Sequence, residues 1–330
     1  MKNPMLRDVA AVFVILFLLP YVVTILAFGF PEKNSSRSNS AEQSVYISYD
    51  GRQEKITVTQ YLTGVLAAQI PVDYQMEALK AHAVLARTYF RLHVGKDTVI
   101  EKDTAAQTFL TKEQMKNLWG DKFEENYKKL EQAVTDTGDE CLYADDRLAE
   151  PYFHAASAGK TRDGTEVFGE ASYAYLAGCD CKKDLQADNY VTIRSFTEEE
   201  IEEYLVQLSE KSGIQQETVQ TEESTQEGVS KESSSALIDL FQVLNRDSCG
   251  YVTRIQVQGR TVHGETFRNV FGLPSAAFQI EEWESGLRFV CKGLGHGLGM
   301  SLYSANEMAK EGDTHREILQ YFFKNISIKK

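Results

Sequence analysis

The stretch that decides the fold is residues 66–91, LAAQIPVDYQMEALKAHAVLARTYFR. After Pro71, apolar residues recur at intervals of three and four, which is typical of a helix with one apolar face. These residues are Met76, Leu79, Ala83, Ala86 and Phe90. Small and apolar residues fill most of the remaining surface, and a basic strip that includes Lys80 and Arg87 is left for solvent. We therefore predict a central, mostly buried helix with Asp73 as its N-cap.

Alternation of apolar and polar residues predicts strands on both sides of this helix. The strand-like segments are VYISYD (45–50), KITVTQYL (55–62), CLYADD (141–146), EPYFHAAS (150–157) and YVTRIQVQGRTV (251–262). The pattern of residues 113–135 predicts one or two amphipathic helices. Two short helices are predicted at the end of the chain, and a capping box from Thr314 to Glu317 begins one of them. The expected fold class is α+β, with curved antiparallel sheets around a buried central helix and with peripheral helices.

A long uncharged run near the N-terminus predicts a membrane anchor. No charged residue occurs from Ala10 to Phe30, and a helix of that length crosses the hydrocarbon core of a bilayer. Lys2 and Arg7 precede the run, which places the N-terminus in the cytoplasm and the rest of the chain outside. The alternative is a cleaved signal peptide, but its apolar region is typically shorter and a small-x-small cleavage site should follow it. We expect residues 1–31 to form a single transmembrane anchor in the cell membrane.

Two polar segments divide the remaining chain. Residues 32–44 lack periodicity and are predicted to be a spacer between the membrane and a folded extracytoplasmic domain at 45–330. Within that domain, residues 210–235 are rich in Glu, Gln, Ser and Thr and contain few apolar residues. Such a segment cannot bury enough apolar surface to order itself, so we predict a disordered acidic insertion.

Charge and cysteine content restrict the partners. The formal net charge is −13, which repels nucleic acid, so we predict no nucleic-acid partner. Five cysteines are too few and too scattered for a disulfide scaffold. Cys179 and Cys181 form CDC rather than the CxxC that metal sites prefer.

Residues 293–305, GLGHGLGMSLYSA, have a glycine at every second position from 293 to 299. Alternating glycines let another backbone or a ligand approach closely, and a tight structural turn is the alternative. No frame gives the GxGxxG of a dinucleotide site. His296 lies among these glycines, where a hydrogen-bonded structural histidine is the simpler interpretation.

The segment HAASAGKT, residues 154–161, contains residue types used by two well-known motifs but fits neither. A phosphate-binding loop needs glycine where His154 stands, and the GxSxG elbow of hydrolases lacks its first glycine here. Ser157 is therefore not predicted to be an acyl-transfer nucleophile.

Three blocks resemble the stage II sporulation protein D family, whose pattern is shared with amidase enhancers. Residues 61–90, YLTGVLAAQIPVDYQMEALKAHAVLARTYF, resemble its YLxGVVAxEMPxxxxxEALKAQAVAARTY. Residues 152–169, YFHAASAGKTRDGTEVFG, and 173–184, YAYLAGCDCKKD, resemble its middle block. Residues 295–323, GHGLGMSLYSANEMAKEGDTHREILQYFF, resemble its closing GHGVGMSQYGAxxMAxxGxxYxEILxYYY. The blocks follow in the same order and extend over most of residues 45–330.

The resemblance implies a protein on the outer face of a membrane in a sporulating Gram-positive cell. Members of the family cleave or bind peptidoglycan glycan strands that have lost their stem peptides, beside an amidase partner, while the forespore is engulfed. The implied reaction is that of a lytic transglycosylase and needs no cofactor. One glutamic acid protonates the glycosidic oxygen, and its carboxylate then takes the proton of the sugar's own 6-hydroxyl, which leaves a 1,6-anhydro end.

The chain departs from the family at the position of that acid, where Gln69 stands. An amide has no proton to donate near neutral pH, so cleavage by the usual route would be slow or absent. Glu77 matches another glutamate of the pattern and is a substitute, although a helix N-terminal charge paired with Lys80 is the alternative. Three functions stay open: a lytic transglycosylase that uses Glu77 or another carboxylate, a non-catalytic glycan-binding adaptor that activates an amidase, and a membrane-tethered structural protein with no affinity for glycan.

The resemblance also implies which residues form the site. The cleft should lie where Gln69, His154 and residues 293–299 meet. The substrate-binding residues implied around it are Lys80, Arg87, His154, Ser157, Gly159, Thr161, His296, Gly297 and Ser301. Some relatives carry a His/Cys cluster that resembles a zinc site, but Ala105, Ala106 and Gln107 stand at the equivalent place, so we predict no metal.

Overall fold

The computed structural model describes five parts of the chain, and the predicted anchor, residues 1–31, lies outside them. Most of the predicted spacer and of the acidic insertion also lies outside. In the described parts, none of the helices is both long enough and apolar enough to span a bilayer. The described residues are 44–49, 51–94, 99–101, 107–211 and 237–330.

The described elements are mixed helix and strand, which confirms the α+β class. The helices are α1 (Val58–Gln69), α2 (Met76–Tyr89), α3 (Lys112–Trp119), α4 (Phe123–Asp136), α5 (Gly164–Phe168), α6 (Glu198–Lys211), α7 (Gly264–Val270), α8 (Leu302–Glu311) and α9 (His315–Phe322). The strands are β1 (Ser44–Tyr49), β2 (Arg52–Thr57), β3 (Val99–Glu101), β4 (Cys141–Ala144), β5 (Arg147–Leu148), β6 (Phe153–His154), β7 (Val191–Phe196), β8 (Phe241–Arg246), β9 (Val252–Val257), β10 (Arg260–His263), β11 (Phe278–Trp283), β12 (Gly286–Lys292), β13 (Met300–Ser301) and β14 (Ile326–Lys329).

The strands form several small sheets, most of whose pairings are antiparallel as predicted. Their orders in the described chain are β2-β1-β3, β10-β9-β8, β11-β12-β7, β13-β6 and β14-β4-β5. Two pairings, β1 with β3 and β13 with β6, are parallel. Short strands with long connections account for this difference, because sequence alternation predicts a strand but not its partner.

Helix α2 is the central buried helix that the sequence predicts. Its residues Ala78, Leu79 and 81–88 are buried. The predicted cap is wrong, because the N-cap position is Gln75 and not Asp73. Asn306 of α8 takes over the capping function, since its side-chain oxygen accepts the Gln75 N–H at 2.8 Å.

The second predicted strand, residues 55–62, is only partly confirmed. It ends at Thr57, where helix α1 begins. The Thr57 side chain accepts the Gln60 N–H, and the Gln60 side chain accepts the Thr57 N–H. This capping box overrides the alternating pattern and turns residues 58–62 into helix.

Two large apolar cores and a small third one, around Tyr251, underlie the described fold, and the glycine-rich run joins the two large ones. Helices α1, α2, α4 and α9 contribute to the first core, together with Met300. The sheets of β7 to β12 with α6 and α7 form the second, which includes Cys291. Residues 293–299 lead from β12 to β13, and this run therefore crosses from one core to the other.

Candidate functional site

Gln69 is the last residue of α1, and its side chain is half-buried. The helix ends there because the next residue, Ile70, is extended, as expected before Pro71. The Gln69 amide nitrogen donates to the Thr108 carbonyl at 3.4 Å. Its amide oxygen lies 3.0 Å from Nε2 of His82 in α2. Both the nitrogen and the oxygen of the Gln69 amide, at the position of the family's acid, are therefore hydrogen-bonded.

His82 is fully buried inside α2. Burial lowers the pKa of its imidazole to about 3, so the ring is neutral at physiological pH. The ring contacts Phe153 edge-on, with 4.5 Å between centroids. Phe153 pairs with Met300 and directly precedes His154. A chain of contacts therefore links Gln69 to the segment that packs on the glycine-rich run.

The four alternating glycines at 293, 295, 297 and 299 all have positive φ angles. A Cβ at Gly295 would lie 2.7 Å from the His154 Cβ, and one at Gly299 would lie 2.0 Å from the Tyr152 carbonyl oxygen. A Cβ at Gly297 would meet the Tyr251 ring at 2.6 Å. The group that approaches these glycines closely is the protein's own chain, and close approach by another part of the chain is one of the interpretations that the sequence offered.

The two histidines beside this run are both neutral. His154 is buried, and its Nδ1 donates to the Leu298 carbonyl at 3.0 Å. Burial lowers the pKa of His154 to about 4. Burial, with smaller contributions from His154 and nearby arginines, lowers the pKa of His296 to about 3. Nδ1 of His296 accepts the Leu298 N–H at 3.1 Å, so this histidine supports its own loop.

A buried carboxylate that the sequence did not single out lies under the site. Asp184 is fully buried and accepts both the N–H and the hydroxyl of Ser157, at 2.7 and 2.6 Å. It also accepts the hydroxyls of Ser301 and Ser304, at 2.7 and 2.6 Å. Asp184 thus ties the AASAG segment to the start of α8. Nothing in the local sequence marked it, since its partners lie far away in the chain.

Four of the predicted substrate-binding residues lie in or beside this buried junction. Ser157 and Ser301 are fully buried, and their hydroxyls are committed to Asp184. Thr161 is also buried, and its hydroxyl accepts the Cys179 N–H at 2.8 Å. Gly159 is half-buried and donates to the Ser157 hydroxyl at 3.2 Å. These residues support the site from inside the protein and are not exposed on its surface.

Glu77 is a structural ion-pair partner in the first turn of α2. Partial burial opposes its ionisation, but hydrogen bonds from the His315 backbone, Lys80 and the His315 side chain lower its pKa to about 2. Lys80 in turn lies 2.9 Å from Glu77 and 3.1 Å from Asp136. The Glu77 carboxyl is ionised at neutral pH, and an ionised carboxyl has no proton to give.

The guanidinium of Arg87 is used inside the fold. It donates to the Val134 and Glu140 carbonyls at 2.8 and 3.2 Å and to the Thr137 hydroxyl at 3.1 Å. These groups lie at and just after the C-terminal end of α4, where free carbonyls need donors. Arg87 is buried, so the structure places it away from the solvent-facing strip where the sequence put it.

An open cavity of about 390 Å³ lies beside these elements. Pro71, just after Gln69, forms part of its wall, and so does Leu294 of the glycine-rich run. Of the three parts that were expected to meet, only the glycine-rich run lines this cavity, through Leu294. Gln69 and His154 do not line it, although Pro71 and Ala155 near them do. Its polar and aromatic lining residues are Asp73, Tyr74, Asp188, Tyr303, Asn306, Glu307 and Lys310.

The predicted absence of a metal stays a prediction. All five cysteines are in the described part of the chain and carry free thiols there. Across the described ranges, no group of three His, Cys, Asp or Glu side chains could hold a metal ion. Gln107 is buried and donates to the Ala86 carbonyl at 3.3 Å, while Ala105 and Ala106 lie outside the described residues.

Comparison with known proteins gives matches that agree with one another. A family model described as "Stage II sporulation protein" matches residues 49–143, the region that contains Gln69 and His82. The stage II sporulation protein D of Bacillus subtilis (strain 168) is 28% identical over 292 residues, which cover 86% of this chain and 78% of that relative. The protein of the same name from Bacillus amyloliquefaciens is 28% identical over 295 residues, 86% of this chain and 77% of the relative. The amidase enhancer of Bacillus subtilis (strain 168) is 23% identical over 299 residues, 81% of this chain and 40% of the relative.

Proposed function

Since the chain belongs to the stage II sporulation protein D family, we propose that it acts on the cell wall during sporulation by binding glycan strands without cleaving them. One observation carries this proposal: the side chain at the position of the family's acid is the Gln69 amide, held by His82. An amide binds a sugar hydroxyl well but supplies no proton to a glycosidic oxygen. General acid-base catalysis contributes about 10²- to 10⁴-fold to such reactions, and its loss removes most of the rate.

The suggested replacement for the missing acid is also unsuitable. Glu77 is bonded to Lys80 and His315, and these bonds lower its pKa to about 2. A general acid needs a pKa near the working pH, so that it is protonated when the substrate binds. Glu77 therefore holds α2 to α9 and does not take over the chemistry.

The cavity of about 390 Å³ has a lining that suits a sugar chain. Tyr74 and Tyr303 contribute aromatic side chains to the lining, and Asn306, Glu307 and Lys310 contribute polar ones. Binding sites for small molecules typically combine such aromatic surface with a few polar groups, in volumes of about 300–1,000 Å³. We place one or two sugar units of the glycan strand in this cavity, beside the loop that follows Gln69.

The setting that we propose for the protein is that of the same family. We propose that the predicted anchor at residues 1–31 holds the chain in the cell membrane, with the described domain on the outer side. Similarity to an amidase enhancer favours a cell-wall amidase as the protein partner. In this proposal the chain stays bound to the denuded glycan that the amidase leaves behind and activates that amidase at the wall during engulfment.

Sedimentation with purified wall material tests the proposal. We expect the full-length chain to pellet with glycan strands that lack stem peptides, and to release no 1,6-anhydro products from them. Tyr303→Ala should weaken retention about 2- to 10-fold, because an aromatic contact contributes about 0.5–1.5 kcal/mol. Tyr143→Ala, which changes a tyrosine of β4 outside the cavity lining, is the matched control. Equal retention of both variants, or no retention of the unaltered chain, would contradict the proposal.

A second candidate function is supported by one feature of the cavity. Asp73, Asp188 and Glu307 bring carboxylates to its wall, and one of them could serve as the acid of a lytic transglycosylase. In that case the unaltered chain releases 1,6-anhydro products, and Asp73→Asn or Glu307→Gln abolishes the release. The same product analysis therefore separates the two candidates.

A further inference from the structure

Asn306 of α8 is a buried side chain in the wall of the open cavity. It is 5% exposed and lines the cavity together with Tyr303 and Glu307 of the same helix. Its Oδ1 accepts the Gln75 N–H at 2.8 Å. Turning the amide over would place its NH2 group against that N–H, and two donors cannot bond to each other. The direction of the Asn306 amide is therefore fixed by the start of α2.

The nitrogen of this amide is left without an acceptor. Among the described residues, none accepts a hydrogen bond from Asn306 Nδ2. The buried side-chain atoms that lack a partner in the described ranges belong to His82 and His154. Asn306 Nδ2 is not one of them, so it is not sealed inside the protein and is open to the cavity that Asn306 lines. The cavity thus presents a fixed donor to its occupant.

The next residue brings an acceptor to the same wall. Oε1 of Glu307 is bonded to Lys310 Nζ at 2.6 Å, which in the described structure leaves Oε2 as an open acceptor. The hydroxyl of Tyr303 donates to the Gln186 carbonyl at 3.2 Å, so this side chain is also held in place. The wall formed by α8 therefore combines one fixed donor, one acceptor and one aromatic ring.

We propose that Asn306 is a specificity-determining residue, whose NH2 group selects an N-acetylated sugar unit by donating to its acetamido carbonyl oxygen. This inference rests on the proposed binding of glycan and names the sugar unit that the cavity takes. An acetamido group carries a carbonyl acceptor, an N–H donor and an apolar methyl group. The Asn306 amide, the Glu307 carboxylate and the aromatic lining suit these three parts in turn.

The charge of the lining selects between the two N-acetylated units of a glycan strand. Asp73, Asp188 and Glu307 stand against the single ammonium of Lys310, which gives the lining a net charge of −2. A muramic acid unit without its stem peptide carries a free lactyl carboxylate, and like charges repel. The N-acetylglucosamine unit is neutral. The cavity therefore takes the N-acetylglucosamine unit and leaves the muramic acid units outside.

The ligand arm of the test compares two neutral β-1,4-linked tetrasaccharides on the full-length chain. One is tetra-N-acetylchitotetraose, and the other is cellotetraose, which has a hydroxyl in place of each acetamido group. Calorimetry should show about 10-fold tighter binding of the acetylated ligand, because an open donor that meets no good acceptor loses its bond to water. Equal affinity for the two ligands would overturn the proposal.

The variant arm uses Asn306→Asp. Aspartate keeps an oxygen for the Gln75 N–H and replaces the NH2 group by a second oxygen, which would face the acetamido oxygen. The preference for the acetylated ligand should disappear in this variant. Asn325→Asp adds the same charge at an exposed asparagine outside the cavity lining, and it should keep the preference. An unchanged preference in Asn306→Asp would overturn the role of Asn306.

NMR provides a measurement that needs no variant to fold. The side-chain NH2 signals of Asn306 should shift when the acetylated tetrasaccharide is added to the unaltered chain, and unmoved signals at saturation would overturn the proposal. Retention of denuded strands without any preference between the tetrasaccharides would reject the selection by Asn306 and leave the proposed function standing. If the unaltered chain binds neither the strands nor the tetrasaccharides, the proposed function fails as well.

Discussion

Replacing Asp184 by asparagine should destabilise the protein strongly. The carboxylate is fully buried and accepts hydrogen bonds from Ser157, Ser301 and Ser304. Asparagine keeps one oxygen but places an NH2 group where the other accepts. At least one hydroxyl of this cluster then loses its acceptor. A buried polar group without a partner costs about 1–3 kcal/mol, and the lost charge weakens the remaining bonds. We expect Asp184→Asn to lower the free energy of unfolding by about 2–4 kcal/mol.

Urea unfolding followed by circular dichroism measures this change. A loss of about 2–4 kcal/mol is large against the 5–15 kcal/mol of a typical domain, so the midpoint should shift clearly. Asp180→Asn is the matched control, because Asp180 is exposed and lies in the same segment. Its effect should stay within about 0.5 kcal/mol. If the two variants unfold at the same urea concentration, Asp184 does not tie the AASAG segment to α8 as described.

Three other changes test separate parts of the structure. Glu77→Gln should cost about 1–2 kcal/mol near pH 7 after allowance for solvent screening. Because the pKa of Glu77 falls from 4.5 to about 2 on folding, that difference should shrink as pH drops from about 4.5 towards 2, which urea titrations at several pH values can follow. Gly295→Ala should lower the melting temperature more than Gly259→Ala, because both have positive φ but only the first would place its Cβ within 3 Å of another atom. Arg87→Lys should lower the free energy of unfolding by about 1–3 kcal/mol, because this guanidinium caps α4. Glycan retention by the folded variant should stay unchanged. Reduced retention would show that Arg87 binds glycan after all.

Residue spacing and capping boxes predicted the elements that these short-range features themselves determine. The spacing of Leu79, Ala83 and Ala86 predicted a buried α2, and the burial of that helix confirms it. The capping box at Thr314 is confirmed at the start of α9. The start of α1 was missed, because the capping box at Thr57 competes with an alternating pattern and alternation alone does not show which prevails.

Contacts between distant segments could not be predicted. Asp184 and Ser301 are 117 positions apart, and no spacing rule relates a carboxylate to hydroxyls at that separation. The contact of Gln69 with His82 joins two helices, so its geometry depends on how α1 packs against α2. The sequence could mark Gln69 as a departure from the family. Only the fold shows that the His82 side chain contacts the Gln69 amide.

In the proposed function, Gln69 leaves a glycan-binding protein without its usual acid. The most direct measurement is mass spectrometry of denuded glycan after prolonged incubation with the unaltered full-length chain. We expect strands of unchanged length with no 1,6-anhydro ends, although the protein stays bound to them. Accumulation of 1,6-anhydro fragments over the incubation would contradict that claim.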